Sequence, residues 1–189
     1  MNLKNKYYLI RHGQALSNVK SVCSCWPETF ENPLTETGVS MVQASVHILR
    51  DKQIDLIFTS DILRAKQTAQ IVGEALGLEP KFDERLREIN FGIYNGSTIT
   101  GFDSHYPDAQ ARFDETPEGG ENYADITNRM ADFVKDIDGQ YQDKTILIVS
   151  HEVPLTLLIC KMAGLTPTET FHEYFNRKKM ENAEVRALN

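Results

Sequence analysis

The side chains best placed to do chemistry stand at the ends of apolar runs. Arg11, His12 and Gly13 follow the run at 7–10, and the run at 144–150 ends at Ser150 with His151 just past it. Arg64 falls in the first turn of the helix expected after a third run, at 54–58. If these runs are neighbouring strands of one sheet, two imidazoles and two guanidinium groups converge on a single rim. Such a rim is a local basic pocket suited to a small anion. His47, His105 and His172 lack that setting and read as ordinary surface or core residues.

The elements that must position these groups alternate in period. The three runs are short and nearly continuous in apolar residues, the pattern of strands buried on both faces. Thr35 precedes a helical stripe of Val39, Val42, Val46 and Leu49 and is its expected cap. Ser60 or Asp61 is expected to cap a second helix that buries Ile62, Ala65, Ala69, Val72 and Leu76 and ends at Gly77. Tyr123, Ile126, Met130, Phe133 and Ile137 form a third stripe, a fourth helix is expected over 154–162, and 184–188 suits a closing edge strand. This alternation predicts an α/β fold of three layers, a mostly parallel sheet flanked by helices on both faces. Ligands then bind beyond the carboxyl ends of the strands, where the basic rim lies. The stretches 12–33 and 84–100 show no periodicity, and irregular segments that long are usually functional. One domain is expected over 1–189, with a cap-like insertion at about 90–120.

Composition narrows the partners. Twenty Lys and Arg against 27 Asp and Glu give a net charge of −7, the wrong sign for nucleic acid or an anionic membrane surface. Three cysteines, Cys23, Cys25 and Cys160, cannot all pair within the chain and lack the companion ligands of a zinc site. With no apolar run of signal-peptide or membrane-span length, a cytoplasmic protein is expected. Neither H-E-x-x-H, nor a P-loop, nor a dinucleotide glycine fingerprint occurs, so no metal and no cofactor are expected. Trp26 reads as a loose apolar anchor in the first irregular stretch, and the basic run at 177–179 as a solvated face.

Several ordered blocks then resemble the histidine phosphatases, the phosphoglycerate-mutase-like superfamily. They are YLIRHGQALSN at 8–18, LTETG with QA at 34–44, TSDILRAKQTA at 59–69, LREINFGIYNG at 86–96, PEGGEN at 117–122, VSHEVPL at 149–155 and ENAEV at 181–185. RHG alone is a weak match, but blocks in this order along nearly the whole chain are specific.

The resemblance implies a phosphomonoester hydrolase that works through a phosphohistidine on a small soluble phosphate ester. His12 is then the nucleophile, with Gly13 keeping bulk away and its carbonyl holding the other ring nitrogen. Arg11 and Arg64 are the guanidinium forks on the phosphoryl oxygens, His151 completes the clamp, and Asn18 adds an uncharged donor. Glu88 is the expected general acid, later the base that activates water. Glu121 either contacts substrate or caps the following helix.

Departures from the family pattern border the expected pocket. Glu152 replaces the usual Gly after the second histidine, Tyr94 and Asn95 replace Trp and Glu, and Asn122 replaces Ser. A carboxylate at 152 suits the clamp only if it points away or meets a positive group on the substrate. A mutase-type phosphotransferase, a protein phosphohistidine phosphatase and a non-catalytic phospho-ligand-binding protein stay open as alternatives. The mutase reading is weakened because such enzymes are generally longer.

Overall fold

The computed structural model describes residues 3–173 and 179–188. Along them run β1 (Lys6–Arg11), α1 (Leu16–Lys20), α2 (Glu36–Arg50), β2 (Leu56–Thr59), α3 (Leu63–Leu76) and β3 (Lys81–Phe82). Next come α4 (Ile99–Asp103), α5 (Ala111–Asp114), α6 (Tyr123–Gln140), β4 (Thr145–Ser150), α7 (Glu152–Met162), α8 (Pro167–Glu173) and β5 (Val185–Ala187). The strands form one sheet in the order β3-β2-β4-β1-β5. β1, β4, β2 and β3 pair in parallel, and β5 joins the β1 edge antiparallel.

Alternate residues of the central strands serve two cores, because successive side chains leave opposite faces of a strand. Leu9, Ile146 and Ile148 pack with Ile126, Met130 and Phe133 of α6 and Leu155 and Leu158 of α7. Ile10, Leu147 and Val149 pack with Val42, Val46 and Leu49 of α2 and Ala65, Ala69 and Val72 of α3. The expected three layers are therefore present, with β4 and β1 at the centre.

The local signals act as expected in most places. Thr35 Oγ1 accepts from Gly38 N at 3.0 Å and caps α2. Gly77 closes α3 at φ 71°, a left-handed conformation that glycine takes without a Cβ clash. Two boundaries differ. α3 starts at Leu63 with Ile62 at its N-cap, since Ser60 and Asp61 are committed to other partners. α7 starts at Glu152, before Pro154, because a proline in the first helical turn forfeits no intrahelical bond. The two-residue β3 and the short α1, α4, α5 and α8 carry too little periodicity to be read from sequence. Of the basic run at 177–179, residues 177 and 178 lie outside the described residues.

Residues 84–122 contribute no strand. They carry two 3₁₀ turns, at Glu84–Leu86 and Gly92–Tyr94, then α4 and α5. The segment is fastened by the buried Arg112, which donates to Asp103 Oδ1 at 2.8 Å and Tyr123 Oη at 3.4 Å and stacks on Tyr106.

Candidate active site

Parallel pairing of β1 with β4 sets Arg11 opposite Ser150, so His12 and His151 leave adjacent strands side by side. His12 N extends the ladder to Ser150 O at 3.0 Å, and the two imidazole rings meet edge to face at 5.1 Å. Both rings are buried. Their pKa values fall well below the usual imidazole range, first through burial and then through the Arg64 charge, so both are neutral near pH 7.

The protons on these rings can be assigned from their partners. His12 Nδ1 lies 2.7 Å from Gly13 O and must be the donor, which leaves a lone pair on Nε2. Arg64 Nε donates to that Nε2 at 3.1 Å. Ser60 Oγ accepts from Ile62 N at 3.2 Å and donates to His151 Nε2 at 2.9 Å, which puts the His151 proton on Nδ1. His151 Nδ1 and Arg11 Nε are buried and find no hydrogen-bond partner among the described residues. Two such unsatisfied donors are costly unless an anion meets them.

Gly13 is required for a reason other than the one expected. A Cβ there would stand 2.5 Å from Gly38 O and 2.8 Å from Val42 Cγ2, so glycine lets β1 approach α2. Gly13 does not line the cleft; it acts through its carbonyl on His12 and its N–H, which donates to Thr68 Oγ1 at 3.1 Å.

Arg11 and Arg64 each have fixed protein partners. Arg11 Nη1 donates to Met180 O at 2.7 Å and meets Glu152 Oε2 at 2.5 Å. Arg64 Nη2 donates to Ser24 O at 2.9 Å, and its Nη1 meets Glu28 Oε1 at 3.3 Å. Asn18 lines the cleft with its Oδ1 committed to Ala15 N and Asn182 Nδ2, so its NH₂ is the group it can offer a ligand. The Glu88 carboxyl also lines the cleft. Burial pushes its pKa up to about 7, against the pull of Arg64, and Ile89 N donates to its Oε1 at 3.0 Å.

Glu121 takes neither expected role. Its carboxylate accepts from Arg129 Nε at 2.8 Å and Asn90 N at 2.9 Å, away from the cleft. Asn122 caps α6 instead, in a reciprocal box with Asp125. Arg129 in turn donates to Arg85 O at 2.6 Å and Glu88 O at 3.3 Å, so the pair braces the Glu88 backbone. Trp26 is half exposed beneath the stacked Arg87 guanidinium.

Sequence reasoning passed over Ser24, Glu28, Ser60, Thr68 and Arg129. Ser24 and Glu28 lie in an irregular stretch with no periodic signal, while Ser60 and Thr68 sit inside a quoted block. Cys23 and Cys25 are buried thiols whose pKa values burial raises to about 12 and about 11, so they are poor nucleophiles.

The cleft has a volume of about 540 Å³. Its lining combines polar side chains, among them Arg11, His12, Arg64 and Glu88, with the apolar Val22, Phe91, Ile99 and Phe102. Among the described residues no group of three or more His, Cys, Asp or Glu could hold a metal ion, and no helix is long and apolar enough to cross a membrane.

Paired buried imidazoles beside two guanidinium groups at the carboxyl end of a parallel sheet form a site suited to a small anion. The model of the histidine phosphatase superfamily (branch 1) matches residues 7–188, and the chain belongs to that family. Phosphoserine phosphatase 1 of Hydrogenobacter thermophilus is 27% identical over 85% of this chain and 77% of its own length. Glucosyl-3-phosphoglycerate phosphatase of Mycobacterium tuberculosis is 31% identical over 76% of this chain and 68% of its own. The solved structure of Bacillus stearothermophilus YhfR superposes with a TM-score of 0.81 at 28% identity, covering 97% of this chain and 90% of that one.

Proposed function

We propose that this protein hydrolyses small phosphate monoesters through a phosphohistidine on His12. The observation that carries the reading is the tautomer: a Gly13 carbonyl on Nδ1 leaves the Nε2 lone pair of a neutral ring beside two guanidinium groups. In the first step Nε2 attacks phosphorus, a P–N bond forms and the P–O bond to the alcohol breaks. Arg11, Arg64 and the Nδ1–H of His151 take the phosphoryl oxygens, and Glu88 gives its proton to the leaving oxygen. In the second step a water attacks phosphorus, its proton returns to Glu88, and the P–N bond breaks to release phosphate. Arg64 Nε gives up its bond to Nε2 as the phosphoryl group arrives, which frees the lone pair for attack.

The names of the relatives support a phosphatase on a small ester, and residues 90–120 are read as a cap over the cleft. The buried thiols Cys23 and Cys25 support a reducing, cytoplasmic setting.

Phosphate release from a panel of esters, without added metal, tests the reading against His12→Ala. Turnover should fall by roughly 10⁴-fold or more in the variant, and acid-stable protein-bound phosphate should not be what is trapped, because phosphohistidine is lost in acid and kept in base. Equal turnover in both proteins would end the proposal.

A further inference from the structure

Both arginines of the clamp already carry a carboxylate, and the two carboxylates are placed differently. Glu28 pairs with Arg64 but does not line the cleft. Glu152 pairs with Arg11 at 2.5 Å and does line it, next to Val153 in the chain. It sits in the first turn of α7, where a negative side chain suits the positive end of the helix. Ligand bound on Arg11 must therefore share that guanidinium with a fixed anion that faces the substrate.

Two consequences follow from this geometry. Arg11 Nη1 is occupied by Glu152 and by Met180 O, so Arg11 meets a phosphoryl group through its remaining nitrogens, Nε among them. An acidic group on the alcohol part of the ester lies near the Glu152 charge, and like charges brought together in a cleft are strongly disfavoured. Asp103 and Glu181 add carboxylates to the same lining, with Lys179 as a cation among them. In the same lining, Val22, Phe91, Ile99 and Phe102 offer apolar surface that rewards an apolar body and cannot satisfy a second anion.

We propose that Glu152 is a charge filter: paired to Arg11 in the cleft lining, it restricts turnover to phosphomonoesters of alcohols that carry no second acidic group. The inference rests on the phosphatase reading and names its substrate class. Glu152 acts on specificity and on phosphate retention, because the same carboxylate competes with the released phosphate for Arg11.

The matched esters glycerol 3-phosphate and 3-phosphoglycerate differ by a hydroxymethyl against a carboxylate, which isolates charge from size. Their kcat/KM ratio is measured for the wild-type protein and for Glu152→Gln, which keeps the shape and removes the charge. The ratio should fall by roughly tenfold in the variant, mainly through faster turnover of the acid, and inorganic phosphate should inhibit the variant at lower concentration. A ratio that moves less than about twofold would overturn the filter. Glu152→Gly reads the same ratio if the glutamine variant does not fold. Should neither ester turn over, the ester panel with His12→Ala decides the phosphatase reading separately, and calorimetric binding of inorganic phosphate still decides the filter: tighter binding to Glu152→Gln supports it, and unchanged binding overturns it.

Discussion

At the amino end of β1 a buried carboxylate has all the partners it can use; at the carboxyl end of the same strand, buried donors have none. Asp138 accepts from Lys4 N, Asn5 N, Asn5 Nδ2 and Tyr7 Oη, at 2.9–3.2 Å. Burial works against its charge, yet those bonds hold its pKa below the ordinary carboxylate value. At the other end Arg11 Nε and His151 Nδ1 lack partners among the described residues, and burial keeps His12 and His151 in the neutral, singly protonated form. The saturated end stabilises the fold without any ligand. The unsaturated end keeps buried donors that a bound anion can take up, so its polar groups serve a ligand rather than the fold.

The sharpest way to break the contrast is at the active end. Glu88→Gln keeps the shape of the side chain and removes its proton. Hydrolysis of alkyl phosphates should fall by roughly 10²–10⁴-fold, while aryl phosphates with good leaving groups lose far less. The acid form of Glu88 declines as pH rises through about 7, so kcat/KM on alkyl esters should fall above that pH. The variant should lack this limb. A pH profile shared by both proteins would remove Glu88 from proton transfer.

At the saturated end the same kind of change should strike stability instead. Asp138→Ala leaves Asn5, Tyr7 and two backbone amides without their acceptor, at a cost of about 3 kcal/mol. For a chain of this size that lowers Tm by roughly 6–12 °C. Since the folded pKa is depressed, the carboxylate contributes stability above its unfolded pKa and loses it as pH falls through the folded value. The wild-type protein should thus lose its advantage over Asp138→Ala in acid, in melts followed by circular dichroism. Turnover per folded molecule should be unchanged, and a matching loss of activity would show that the two ends are coupled.

The two ends also differ in how far sequence could describe them. Arg11, His12 and His151 were legible because strand ends place them, and strands are set by the apolar period. Glu88 was legible only through its block, since a 3₁₀ turn and a loop carry it and neither has a period. The Asp138 network was not legible at all: its donors are 131–134 residues away, and two of them are backbone amides that any residue could supply. Gly13 was singled out correctly but for the wrong neighbour, because only the packed structure shows Gly38 O against it. Glu121 was misread for a related reason, as its partner Arg129 lies two turns further along α6 and faces back.

That misreading leads to the smallest expected effect, one that tests how an active end is kept in place. Glu121 holds Arg129, and Arg129 holds the carbonyls of Arg85 and Glu88. Glu121 touches nothing in the cleft, so it is a positioning residue acting through that brace. Glu121→Ala should lower kcat on alkyl esters about tenfold, below the loss expected for a full 1 Å misplacement, because Ile89 N still holds the Glu88 carboxyl directly. KM should stay nearly constant, since Arg11 and Arg64 are held by other partners. Aryl esters, which need less help from an acid, should be affected less. Glu121→Gln retains an acceptor for Arg129 and should recover most of the lost rate. A loss that is equal on alkyl and aryl esters, or that glutamine does not repair, would mean that Glu121 serves the fold at large rather than the position of Glu88.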